Sequence, residues 1–413
     1  MLASSGLHVN GKRIVVGVTG GIAAYKAVEV CRRLVDAGAH VIPVMTAAAE
    51  HFIGRTTLSA LCSEPVQTSL WDFERNASDG ASAIPHTRLG QSADAIVVVP
   101  ATARLLAAYT IGLSTDLLTN ILIATRAPVI VCPAMHTEMW EHPSVQDNLA
   151  VLRRRGVLVV EPDVGRLAGG DSGQGRLATP ERIVAAIDQV FAKQDLAGTR
   201  IVVTAGGTRE PIDAVRVIAN RSSGKQGYAI AAEALARGAT VTLISTVELA
   251  TPVGAELVTV ETAAQMQEAV ESVAAWADVI VMAAAVADFR VAAPTDSKIK
   301  KEHGIPQILL EPTPDILAGL GQRKRSGQVL VGFAAETNDL VANADAKLRR
   351  KNLDLIVAND VSASGVGFQH DTNAVSLLRP DSQMVTVTLT DKRSIARAVL
   401  DCVVEIRNGH IVS

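Results

Sequence analysis

Residues 201–227 read IVVTAGGTREPIDAVRVIANRSSGKQG. The apolar run Ile201-Val202-Val203 has the β-branched character of a buried strand, and it enters Gly206-Gly207 and a polar loop. Ser222-Ser223-Gly224-Lys225 then begins a helical pattern that runs to Arg237. Strand, small-residue loop and helix N-terminus in that order form an anion-accepting unit, because the first amides of a helix lack intrahelical partners and the positive dipole end favours phosphate. The pattern GxxxxGK[ST] is absent, since Lys225 is followed by Gln226. Ser222 and Ser223 therefore read as a polar helix start and not as a Walker loop. Residues 14–21, IVVGVTGG, make the same kind of beginning earlier in the chain. Two such openings predict two nucleotide-type domains.

Length agrees with two domains, because 413 residues exceed what one hydrophobic core usually serves. The net charge of -3, with Lys and Arg spread along the chain, leaves no footprint for nucleic acid. Aromatics make up only 3% while Ala, Val, Leu and Ile dominate, a composition suited to parallel strands covered by helices. Cys31, Cys62, Cys132 and Cys402 show no CxxC or CxxH spacing for zinc. No signal peptide and no apolar run of about 18 residues is present, so the expected location is the cytoplasm, with no membrane partner.

In the first half, strand Arg13 to Val18, turn Gly20-Gly21, helix Ala23 to Ala37 and strand His40 to Met45 make a βαβ unit. Further strands are expected at Ala95 to Val99, Pro128 to Cys132 and Val157 to Glu161. Ligands of open α/β sheets sit at the carboxyl ends of strands, which selects Thr19-Gly20-Gly21-Ile22, Thr46-Ala47, Pro100-Ala101-Thr102-Ala103 and Pro133-Ala134-Met135-His136. In the second half, strands at Ile201 to Val203, Thr240 to Ser245, Val279 to Ala283, Val329 to Phe333 and Leu355 to Ala358 alternate with helices at Tyr228 to Arg237, Ala263 to Ala275 and Leu340 to Lys351. A closing pair, Val375 to Leu378 with Met384 to Leu389, precedes a last helix, Lys392 to Glu405. The polar joint after the helical run Pro180 to Ala192 places a boundary near residue 194, dividing 1–193 from 194–413.

TGGIAAYK (19–26), PHTRLG (85–90), ADAIVVVPATA (93–103), GLSTDLLTN (112–120) and CPAMH (132–136) together resemble the flavin-dependent cysteine decarboxylases. The resemblance implies a flavodoxin-like domain that holds FMN through Gly20, Gly21, Ile22, Ala23, Thr46, Pro100, Ala101, Thr102, Ala103 and Ser114. It makes His86 the catalytic base and places Met135 and His136 at the substrate carboxylate. Two departures stand out. The family motif ends PAMN where this chain has His136, so an imidazole replaces an amide and can still donate a hydrogen bond. GRLAGGDSGQGR (165–176) looks like the family's substrate flap, with Asp171 in it, but Gly169 stands where many members carry a cysteine proposed to protonate the enethiolate. The sequence names no replacement for that donor.

TAGGTREPIDAVRVIANRSSGKQG, AAVADFR, KIKK, TPDI, VGFAAET and KNLDLIVANDVS closely resemble the bacterial phosphopantothenate–cysteine ligases, which implies a Rossmann-like second domain. With the first half, the chain is similar to the bifunctional coenzyme A biosynthesis proteins. The resemblance implies that CTP activates 4'-phosphopantothenate as an acyl cytidylate, that cysteine displaces CMP, and that the product is decarboxylated to 4'-phosphopantetheine. Lys298 would serve the first ligase step and Asn220 the second. Asp288 would face the ribose, although after a strand it could equally be a helix cap. Asp315 with Ile316 would lie near the triphosphate, Phe333 at the cytosine, and Lys347 and Lys351 at base or phosphate. Mg2+ would bridge phosphate oxygens, its protein ligands unknown. The implied assembly is a dodecamer built from decarboxylase trimers and ligase dimers. An active ligase with a non-catalytic flavin-binding first domain is the alternative. A nicotinamide oxidoreductase would need GxGxxG at a strand end, which neither opening has.

Overall fold

The computed structural model describes residues 6–72, 84–300, 307–336, 340–360, 372–380 and 382–412. Lys301 of the KIKK run, Thr337 of VGFAAET, and Val361 and Ser362 of the last ligase motif lie outside the described residues. The chain forms two compact units, Leu2–Ala192 and Lys193–Ser413.

The first unit carries strands β1 (Arg13–Val18), β2 (His40–Met45), β3 (Ala95–Ala101), β4 (Val129–Pro133) and β5 (Leu158–Val159), all parallel and in spatial order β2-β1-β3-β4-β5. Helices α1 (Ala27–Asp36), α2 (Arg55–Leu61), α3 (Pro85–Ser92), α4 (Ala103–Ile111), α5 (Leu117–Ala124), α6 (Thr137–Glu141), α7 (Pro143–Arg154) and α8 (Pro180–Phe191) complete it, with a hairpin of β6 (Asp163–Arg166) and β7 (Ser172–Arg176). Successive strand residues face opposite sides, so Ile14, Val16 and Val18 join Val30, Leu34, Ile183 and Ile187 of α1 and α8 in one apolar layer. Val15 joins Leu106, Leu118, Ile121 and Leu149 of α4, α5 and α7 in the other. A strand buried on both faces cannot alternate polar and apolar residues, which is why IVVGV reads as a continuous run.

The second unit has strands β8 (Arg200–Ala205), β9 (Arg209–Pro211), β10 (Val217–Ala219), β11 (Thr240–Ser245), β12 (Glu256–Thr259), β13 (Val279–Met282), β14 (Phe289–Val291), β15 (Leu310–Pro312), β16 (Val329–Glu336), β17 (Leu355–Asp360), β18 (Thr372–Leu378) and β19 (Val385–Asp391). Helices α9 (Lys225–Ala236), α10 (Ala263–Ala274), α11 (Ile316–Gln322), α12 (Leu340–Arg350) and α13 (Lys392–Val412) cover them. The main sheet runs β12-β11-β8-β13-β16-β17-β18-β19, parallel from β12 to β17 and antiparallel at the last two pairings. The two small ribbons, β9 with β10 and β14 with β15, rise from its carboxyl edge. The same division of faces recurs, with Ile201 and Val203 in one layer and Val202 in the other.

Three local expectations shift. The first turn of the helix expected from Ala23 is instead a tight 3-10 turn, Ile22–Lys26, and α-helical winding begins at Ala27; such turns are frequent at the ends of α-helices. The strand expected at Val157 to Glu161 is only Leu158–Val159, an edge strand bonded to β4 alone. The helix expected to include Lys351 ends at Arg350, and Asn352 follows at φ 52, a left-handed conformation that stops helical winding.

Glu233 of α9 is fully buried and pairs with Arg393 Nε at 2.6 Å and Arg397 Nε at 3.6 Å of α13. Removing one partner of a buried pair leaves uncompensated charge. Glu233→Gln is expected to destabilise the second unit by about 3 kcal/mol, lowering its Tm by roughly 6–12 °C for a unit of this size, as calorimetry would show. No helix among the described residues is long and apolar enough to cross a membrane.

Candidate functional site

Each main sheet reverses its strand order once, and crevices for ligands open at such reversals. In the first unit the reversal lies between β1 and β3. Thr19 bridges it: its hydroxyl donates to the Pro100 carbonyl at 2.6 Å and accepts from the Thr102 amide at 3.3 Å. Thr46 N–H donates to the Val18 carbonyl at 3.1 Å, joining the β2 turn to the β1 end. Gly20 presses on Ala48 so closely that a Cβ would collide with its backbone. The missing side chain at Gly20 is thus what lets its turn approach the Ala48 backbone so closely, and the flavin residues expected from Gly20 to Ala103 lie along these three turns. Ser114 sits in the connection between α4 and α5, exposed, its carbonyl accepting from Asn120.

His86 is in the first turn of α3. A helix feeding a parallel strand runs antiparallel to it, which carries that turn to the carboxyl edge of β3. Its Nδ1 is buried and, among the described residues, has no hydrogen-bond partner. A buried imidazole nitrogen with no partner departs from the usual satisfaction of buried polar groups, and it suits a group that receives a substrate proton.

The PAMH turn after β4 is joined to the β3 turn by Ala134 N–H donating to the Ala101 carbonyl at 3.3 Å. The glycine-rich hairpin lies directly on this turn. Met135 N–H donates to the Gly175 carbonyl at 3.0 Å, and Cβ atoms at Gly173 and Gly175 would run into Thr137 Oγ1 and the Met135 carbonyl. His136 Nδ1 lies 3.2 Å from Glu138, and Nε2 lies 3.6 Å from Asp171. The backbone N–H at its own position and the His136 imidazole hold the Glu138 carboxyl below its usual range. The Met135-His136 turn and Asp171, apart in the sequence, meet in one cluster through the His136 imidazole.

In the second unit the reversal falls between β8 and β13, and their turns are stitched together. Ala285 N–H donates to the Gly206 carbonyl at 2.8 Å, Ala284 N–H to Thr204 Oγ1 at 3.1 Å, and Ala287 N–H to Thr208 Oγ1 at 2.9 Å. Asn220 joins them through Nδ2–H to the Val286 carbonyl at 3.1 Å. Gly207 has no room for a Cβ, which would stand 2.5 Å from the Asn220 carbonyl. Gly224, at φ 72, starts α9 against Gly206, so Ser222, Ser223 and the helix start meet the same crevice. Asp288 leads into β14 and caps no helix; its carbonyl accepts from Thr313 N–H at 3.0 Å, bringing TPDI beside AAVAD.

Asp315 caps α11 by accepting from Ala318 N–H at 3.0 Å and binds Lys351 Nζ at 2.8 Å. Burial pushes its carboxyl up, but the Lys351 and Ala318 hydrogen bonds and nearby cationic charge outweigh this and leave it lowered. Ile316 is buried beneath it. Phe333 lies on β16 one residue beyond the level at which β13 ends. Lys347 is on α12, and its carbonyl accepts from Lys351 N–H at 3.0 Å.

Lys298 is exposed, on a loop tied through Ile299 to the connection between β9 and β10. Asp213, whose side chain is fully buried, accepts from Arg216 Nε at 2.9 Å and from Ile299 N–H at 3.1 Å. Arg216 also donates to the Ile299 carbonyl at 3.4 Å. Sequence reasoning did not single out Asp213 or Arg216; their i,i+3 spacing in PIDAVR was the available sign. The Arg216 hydrogen bond, against the effect of burial and aided by three amides, holds the Asp213 carboxyl far below its usual value. A depressed carboxylate contributes stability above its unfolded pKa of about 3.9, and loses it as pH falls through the folded value. Protection of the Ile299 amide from hydrogen exchange is therefore expected to be greatest above about pH 4 and to decline progressively as pH falls below it, and Asp213→Asn is expected to weaken it at neutral pH.

Comparison with known proteins decides between one enzyme and two. Residues 2–192 match the family model "Flavoprotein", and residues 196–406 match "DNA/pantothenate metabolism flavoprotein C-terminal domain". A protein of Mycobacterium tuberculosis named "Coenzyme A biosynthesis bifunctional protein CoaBC" is 47% identical over 415 residues, covering 96% of this chain and 97% of the relative. Its namesake in Vibrio parahaemolyticus is 43% identical, covering 95% and 97%. The chain belongs to the family of bifunctional coenzyme A biosynthesis proteins. It is accordingly an enzyme with two activities, a flavoprotein decarboxylase and a ligase. Among solved structures, the C-terminal domain of such a protein covers 52% of this chain and 100% of that one, at 39% identity and a TM-score of 0.46.

Proposed function

We propose that residues 1–193 decarboxylate phosphopantothenoylcysteine and that residues 194–413 make it from 4'-phosphopantothenate, cysteine and CTP. The observation that carries this reading is the meeting, at each sheet's one reversal, of turns that the motifs mark separately in the sequence.

The cradle of Thr19 to Ala23, Thr46 and Pro100 to Ala103, with the unpartnered His86 nitrogen, fits FMN, and Ser114 adds a further polar contact. Bound there, the flavin would accept hydride from the carbon bearing the substrate's sulfur and return it after CO2 has left. His86 takes the thiol proton as that hydride departs. The PAMH turn and hairpin cover the cysteinyl carboxylate and exclude water, so that a developing neutral group replaces a charged one in a dry site.

In the ligase half, the α9 start at Ser222 and Ser223 receives phosphate, Asp288 the ribose, and Phe333 the base. Asp315 holds Lys351 toward the nucleotide, with Ile316 beneath and Lys347 one helical turn earlier. Lys298 neutralises charge as pyrophosphate leaves, and Mg2+ carried in with the nucleotide would supply further positive charge there. Asn220 then orients the acyl cytidylate for attack by the cysteine amine. Exposed Ile22, Tyr25, Ile111 and Leu113 suit subunit contacts of a cytoplasmic dodecamer.

Anaerobic stopped-flow of the purified protein with phosphopantothenoylcysteine is expected to bleach the flavin and release CO2. Bound flavin that is neither bleached nor accompanied by CO2 would favour a flavin-binding scaffold. Pyrophosphate release with CTP, and not with ATP, tests the second half.

A further inference from the structure

This inference rests on the decarboxylase reading above. Loss of CO2 leaves a C=C–S⁻ enethiolate, and a saturated thiol requires a proton on the carbon that bore the carboxylate. We propose that His136 Nε2–H delivers that proton.

The hairpin turn over the site has no side chain at Gly169. A Cβ there would lie 2.6 Å from His136 Nε2 and 3.0 Å from Asp171 Oδ1. The imidazole edge therefore occupies the space into which a residue-169 side chain would project. Main-chain bonds fix the backbone on both sides of His136, Met135 N–H to the Gly175 carbonyl and Trp140 N–H to the His136 carbonyl at 2.9 Å. Glu138 faces Nδ1 at 3.2 Å and Asp171 faces Nε2 at 3.6 Å, so the ring is held at one nitrogen and presents the other beneath the hairpin. Two residues before it, Ala134 is bonded to the β3 turn, which places the imidazole at the edge of the flavin cradle.

The other groups nearby do not fit the task. Glu138 and Asp171 are acceptors when ionised, Arg166 and Arg176 keep their protons, and Thr137 Oγ1 is buried under Gly173. Histidine is the only residue type in 134–138 and 163–176 whose ordinary pKa lies near neutrality. In the step, the Nε2–H bond breaks and a C–H bond forms. The C=C pair supplies the new bond, a sulfur lone pair closes C=S, and the nitrogen keeps its electron pair until solvent reprotonates it. Hydride return then saturates C=S.

The test follows products of His136→Asn and of His136→Asn/Gly169→Cys by mass spectrometry under single turnover, with retained flavin absorbance as the check on folding. The single variant is expected to release CO2 but to form the saturated thiol about 100-fold more slowly, accumulating the enethiol, which is lighter by two hydrogens. The added cysteine, entering vacated space, is expected to restore at least about tenfold of that loss. Saturated thiol formed at the wild-type rate by His136→Asn, joint loss of CO2 and thiol, or no gain from the cysteine would each overturn the proposal. A wild-type protein releasing no CO2 would refute the decarboxylase reading instead. A readout without turnover is the histidine ring resonances of flavin-free protein. Gly169→Cys alone must shift those of His136, and unchanged resonances would also overturn it.

Discussion

His86→Gln is expected to abolish decarboxylation while leaving ligation intact. The side chain sits in the first turn of α3 with Nδ1 buried and unpartnered among the described residues, so the substitution keeps a polar side chain of similar reach without a titrating nitrogen. General-base catalysis contributes about 100- to 10,000-fold, and a loss of that size in flavin bleaching and CO2 release is the expected result. Pyrophosphate release by the same preparation should be unchanged, because each reaction is built on its own sheet. Loss of both activities in folded protein would refute the division of labour.

Lys298→Gln is expected to slow pyrophosphate release from CTP by about 100- to 1,000-fold, the usual loss when one fixed group facing developing charge is removed. Asn220→Ala should behave differently. Its amide is bonded at the β8/β13 crevice, so pyrophosphate is expected in a single burst while the acyl cytidylate persists and amide formation fails. Rapid-quench analysis separates the two patterns. Asp213→Asn should resemble a weaker Lys298 variant, since it frees the loop and leaves the ammonium in place. A Lys298 variant that activates phosphopantothenate normally would remove the lysine from the mechanism.

The two reactions share an organisation that explains the glycine content of their motifs. Gly20, Gly207 and Gly224 are each pressed against another turn, so the crevices are made by close backbone approach and then lined by a few side chains. A methyl group at Gly207 meets a backbone carbonyl that cannot rotate away, whereas one at Gly21 would make only ordinary contacts at 3.5 Å and beyond. The second position is therefore the more tolerant of substitution.

Much of this was legible in the chain. Continuous apolar runs such as IVVGV and VIVM marked two-sided strands, because a parallel strand covered on both faces leaves no polar position to interrupt it. Glycine pairs at strand ends marked the turns, and the motif order set two units in sequence. Helix starts were less legible, as the 3-10 turn at Ile22–Lys26 shows, since terminal winding depends on what the turn packs against.

The sequence by itself determined the strands, the two openings and the residue types available for each step, because these are local properties of side-chain polarity and spacing. Only the tertiary structure decided which of those residues meet. It put Asp213 under the Lys298 loop from 85 positions away in the chain, taking the difference of their numbers. It tied Asp315 to Lys351, and set His136 in the space left by Gly169. Strand order and close backbone approach are long-range outcomes of packing, and no local pattern encodes them.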